Sequence, residues 1–194
     1  MKKNLTYSIL KFFSDLFNQI IKDKRKFLVY SLLTMIILFF IARYRPIFFM
    51  LMLILIGGFS MIYIRFFKFS HYIGFELCTM ATVLTALAYG PLFSFITGFV
   101  SITLGFIISG YFKPTYFISI FTMPMIALLV PLFSHLPLWQ IGLIVTILYD
   151  IIILPLYVIM GSRIHSTVIF FITHILLNLW VFTTVAPMIY GIIN

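Results

Sequence analysis

A chain of 194 residues that is 63% hydrophobic and 9% charged, with mean hydropathy +1.21, has too little polar surface to fold as a water-soluble globule, so lipid must be its solvent. Its length suits a single membrane domain of six or seven helical spans at about 20 residues each. The net charge of +9 does not point to nucleic acid, because seven of the thirteen Lys and Arg residues precede the first apolar run and most of the others end later ones. That is how a bilayer sorts positive charge.

Residues 5–21 set Ile9, Phe13, Leu16, Phe17 and Ile20 at helical spacing opposite Lys11, Asp15 and Asn18. The spacing predicts an amphipathic helix lying on the membrane surface or packed on another subunit, and the interrupting polar residues exclude a signal peptide. This gives a basic cytoplasmic segment, residues 1–26, ahead of one transmembrane domain, residues 27–194. The first apolar run, Phe27 to Ala42, is bounded by Lys26 and Arg43. Pro46 opens a second span to about Ile64, broken at Gly57 and Gly58. A third runs from Tyr72 to Tyr89 and a fourth from Leu92 to Gly110, with a turn at Gly90 and Pro91 between them. Along the fourth, Gly90, Ser94, Gly98, Ser101, Gly105 and Ser109 recur every three or four residues and mark a face for close helix packing. The fifth span, Tyr116 to Phe133, contains Pro124; the sixth, Trp139 to Met160, contains Asp150 and Pro155. The last starts near Ser166, with a break expected at Pro187.

Seven spans with a cytoplasmic N-terminus put eleven of the thirteen cations inside, leaving Arg43 and Arg45 outside. Demoting the short first span gives six and a cytoplasmic C-terminus. The lone Cys78 excludes an intrachain disulfide and a cysteine-based zinc site, and no cofactor is implied. Neither a Ser, His and Asp hydrolase arrangement nor a phosphate loop is present, so no enzymatic activity is expected.

Of four acids, only Glu76 and Asp150 fall in apolar runs, where an ionisable group marks a site or an internal pair. Asp150 lies about 15 Å from the inner end of its helix, and His174 and Asn178, one turn apart, lie about 12 and 18 Å up the antiparallel neighbour. These three can meet near the midplane, to bind a small polar solute, relay protons or lock two helices. Tyr149, Tyr157 and Trp180 flank them. Glu76, near its helix start, is placed to pair with Lys68 or His71, or to serve the site.

The stretch FELCTMATVLTALAYGPLFSFITGFVSITLGFIISG resembles the substrate-binding S components of energy-coupling-factor transporters, over about residues 70–160. The resemblance implies a bundle of about six helices in the cell membrane that holds one vitamin-like or metal substrate and docks on a transmembrane coupling subunit with two ATPases. Asp150, His174, Asn178, Trp180, Tyr157 and Glu76 are then the candidate substrate ligands. Size, charge and span number are also similar to those of MreD-type membrane proteins, which implies a non-catalytic scaffold. Phe170, His174 and Asn178 resemble part of the motif set of CAAX-type intramembrane proteases, but the paired glutamates those enzymes need to activate water are not in the sequence.

Overall fold

The computed structural model describes residue 11 and residues 23–67, 70–110 and 112–193. The expected surface helix over residues 5–21 lies almost wholly outside them. Every regular element among the described residues is helical. They divide into two compact units, one ending at Arg45 and the other beginning at Pro46. In the first unit, α1 (Lys24–Arg43) extends the expected Phe27 to Ala42 run at both ends. Asp23 accepts from the Arg25 and Lys26 amides at 3.1 and 3.3 Å, supplying the carboxylate that a helix start favours.

In the second unit α2 (Arg45–Ser60) tightens into a 3-10 turn, Met61–Arg65. Gly57 and Gly58 do not break it. A Cβ on Gly57 would lie 3.1 Å from the Ser101 Cβ and one on Gly58 2.7 Å from the Leu104 side chain, so both are points of close helix approach. Then come α3 (Cys78–Tyr89), α4 (Pro91–Ser109), α5 (Tyr116–Ala127), α6 (Leu138–Ile159) and α7 (Ile164–Trp180). A π-turn, Val181–Val185, joins α7 to α8 (Ala186–Ile193).

Four helical stretches among the described residues are long and apolar enough to cross a membrane: Arg45–Arg65, Pro91–Ser109, Leu138–Ile159 and Ile164–Ile193. The last does not break at Pro187. Its π-turn widens the helix just ahead of the proline, relieving the clash that the ring would make with the carbonyl one turn back. The α3 and α5 helices have 12 residues each, about 18 Å, and are shorter than the expected spans. The chain is not helical from Ile73 to Leu77, and after Ala127 it turns twice, the second turn a 3-10 helix at Val130–Phe133.

Residues 78–86 of α3 are all buried, against α4, α5, α6 and α8. Two of its threonines donate to their own helix, Thr82 to the Cys78 carbonyl and Thr85 to the Ala81 carbonyl, each at 2.7 Å. Such back-bonding lets hydroxyls sit at the centre of an apolar bundle without unmet partners. The Ser94 hydroxyl crosses from α4 to the Thr82 carbonyl at 2.8 Å, on the small-residue face read from the sequence. Gly98, Ser101, Gly105 and Ser109 are buried on that face too. Among the described residues, Glu76, Asp150, His174 and Asn178 are inside and Leu, Ile and Phe side chains cover much of the outside, the inversion expected when hydrocarbon is the solvent.

Candidate functional site

The site begins with the non-helical segment ahead of α3. Gly74 abuts α7 so closely that a Cβ would stand 2.4 Å from the His174 Cβ and 2.6 Å from its Cα. The Gly74 amide donates to the Thr173 hydroxyl at 3.0 Å, and that hydroxyl in turn lies 2.9 Å from the Tyr72 carbonyl. Tyr63 donates to the Ile73 carbonyl at 2.7 Å, and the Leu77 amide donates to the Ser60 hydroxyl at 2.9 Å. Four bonds from α2, its 3-10 extension and α7 therefore hold residues 72–77. Four backbone groups of the segment are satisfied in this way by side chains of neighbouring elements.

Glu76 emerges from this segment at the N-terminus of α3. Its carboxylate accepts from the Thr79 amide, at 2.9 Å to Oε2 and 3.2 Å to Oε1, and from the Thr79 hydroxyl. Amide dipoles at a helix start favour this negative charge. Oε1 also meets the His174 Nε2 at 3.2 Å. On the other side of the imidazole, Nδ1 lies 2.8 and 3.0 Å from the two Asp150 oxygens. Phe170 stacks on the imidazole at 5.2 Å between centroids and Tyr149 lies 5.9 Å away at 59°, fixing its plane.

An imidazole between two carboxyl groups must hold a proton on each nitrogen, or one on itself while a carboxyl group keeps another. Both arrangements give the trio a net charge of −1. A single metal ion cannot replace that proton bridge and meet both acids, because they approach opposite edges of the ring.

The expected meeting of Asp150 and His174 is present, and Glu76 completes it. Asn178 is buried but turned along its own helix, where Nδ2 donates to the His174 carbonyl at 3.1 Å and Oδ1 has no partner. Trp180 is 52% exposed and outside the cavity described below. Tyr157 lines that cavity and shares a 2.6 Å hydrogen bond with Ser119. A helix drawn from Tyr72 leaves Glu76 to pair with Lys68 or His71, or to serve the site; Lys68 lies outside the described residues, and Glu76 meets His174. Gly74 two residues before an acid is the signal of a docked, non-helical entry, whereas Thr173, Tyr63 and Ser60, which hold it, carry no mark in the sequence.

Beside the trio is a cavity of about 610 Å³. Glu76 and His174 line its inner part, Tyr149, Tyr157 and Phe106 its walls, and Lys113 and Arg163 lie where it reaches the loops at one end of the bundle. Asp150 stands behind His174, outside the lining. Fold and site together define an all-helical, membrane-type bundle with a buried acid, histidine and acid trio at the base of a small-molecule-sized cavity. No protein family, curated protein or solved structure matches the chain.

Proposed function

We propose that this protein is an integral membrane subunit that binds a small solute, transporter-like in the manner of an energy-coupling-factor S component and without an ATPase of its own. The observation that carries the reading is the cavity with an ionisable, hydrogen-bonded floor. A few converging polar groups in an otherwise apolar, aromatic-walled space are the usual make-up of a ligand site. In this reading the chain crosses the cell membrane six or seven times, α3 and α5 crossing with the help of their non-helical extensions. Lys113 and Arg163 then mark the cytoplasmic end, so in this reading the cavity opens to the inside. A transmembrane coupling subunit with ATPases would supply the energy.

A non-catalytic scaffold of the MreD type needs the trio only as a lock between helices, and the saturation of both His174 nitrogens suits that role as well. It has no need of the cavity. The two readings separate in a ligand-dependent thermal shift of the purified protein in detergent, using a panel of vitamins, amines, carboxylates and metal ions. Stabilisation of several degrees by one compound, lost in Glu76→Gln, supports solute binding. A flat response across the panel, with copurification of no ATPase-coupled membrane subunit, would leave the scaffold.

A further inference from the structure

The two ends of the cavity carry opposite charge. At the base, the trio of Glu76, His174 and Asp150 holds net −1, and Glu76 is the acid that reaches the cavity. Its two oxygens are unequally engaged. Oε1 meets the Thr79 amide, the Thr79 hydroxyl and His174, whereas Oε2 takes the Thr79 amide at 2.9 Å; the Cys78 thiol also lies against this carboxylate. A carboxylate oxygen takes two good donors, so Oε2 has room for one more. At the outer end, Lys113 and Arg163 line the same space, and among the described residues neither forms an ion pair. Arg163 precedes His174 by eleven residues along α7, about 16 Å of rise. Between the ends are the rings of Tyr149, Tyr157 and Phe106, surfaces that suit an apolar or aromatic body and attract a cation.

Resting on the solute-binding reading above, we propose that the ligand is an elongated bipolar amine: a protonated amine at Glu76 Oε2, an apolar middle, and a carboxylate or phosphate held by Lys113 and Arg163. A compact zwitterion does not fit this division, because its charges are a few bonds apart while those of the cavity are separated by something on the order of 10 Å even after Lys and Arg reach inward. A dication would lose at the outer end what it gains at the base, and a dianion the reverse. Charge placement therefore selects against both.

The test uses four matched probes on the full chain in neutral detergent: para-aminobutylbenzoate, phenylbutylamine, butylbenzoate and phenylbutanol. Titration calorimetry is expected to rank para-aminobutylbenzoate at least tenfold tighter than either singly charged probe, with phenylbutanol weakest. Glu76→Gln should weaken the two amines about tenfold and leave butylbenzoate unchanged. Because a buried substitution can impair folding, the pair Lys113→Gln and Arg163→Gln, on loops away from the trio, gives an independent arm: it should weaken only the two carboxylates. Equal binding of phenylbutylamine and phenylbutanol, or indifference of the carboxylates to the loop pair, overturns the proposal while leaving a solute site in place. So does loss of the carboxylate's contribution in nanodiscs rich in phosphatidylglycerol, which would assign a lipid phosphate to the outer end. Failure of all four probes to bind folded protein also overturns it, and the solute reading then rests on the broader thermal-shift panel alone.

Discussion

Gly74 and His174 touch backbone to backbone, with no room between them for a single methyl group. That contact brings Glu76 within reach of the imidazole. Gly74→Ala should push residues 72–77 off α7, lowering stability by about 1–3 kcal/mol, the usual cost of overpacking. Gly191→Ala is the control: nothing lies within 4 Å of the added carbon, and its helical position should leave the melting temperature unchanged or slightly raised. Thermal melts of both variants in the same detergent check this.

Asp150 and His174 form the closest pair of the trio, at 2.8 Å, and both are fully buried. Asp150→Leu alone should cost about 3–5 kcal/mol, since it leaves a buried imidazole with an unmatched edge. Replacing His174 by Leu as well should cost clearly less than the sum of the single changes. A double-mutant cycle measured by reversible unfolding in mixed micelles gives the coupling, and additivity would mean the pair does not interact.

Gly142 on α6 faces the ring of Phe182, which would lie 2.1 Å from an added Cβ. Phe182 belongs to the π-turn, so the wide turn and the glycine form one packed joint. Gly142→Ala should lower the melting temperature by several degrees, and a smaller residue at position 182, as in Phe182→Leu, should recover part of the loss. A cycle with no recovery would show that the steric contact is not what limits stability.

Two of the aromatic residues suggested by the sequence should behave in opposite ways. Trp180→Ala should leave solute affinity unchanged, because the ring is half exposed and lies outside the cavity. Tyr157→Phe removes the hydroxyl bonded to Ser119 and should cost about 1 kcal/mol while altering the cavity wall, which a melt and a titration detect together.

The helical framework was legible because apolar runs and their flanking charges follow directly from the bilayer. The Asp150 and His174 meeting was legible too, since helix rise fixes depth on two antiparallel neighbours. Glu76 was harder to place. Hydropathy treats Tyr72 to Tyr89 as one continuous run, and nothing in an average over side chains reveals that Gly74 presses on another backbone and that the chain is not helical until Cys78. Trp180 shows a second limit. Depth can be counted from sequence, but which side of a helix faces lipid depends on neighbours, and Trp180 is on the outer side while His174 is on the inner.

The carboxylate of Glu76 answers to two callers. A donor entering the cavity shares this acid with the imidazole, each on its own oxygen, so the base of the cavity and the tie between the segment at Gly74 and the histidine helix meet in one side chain.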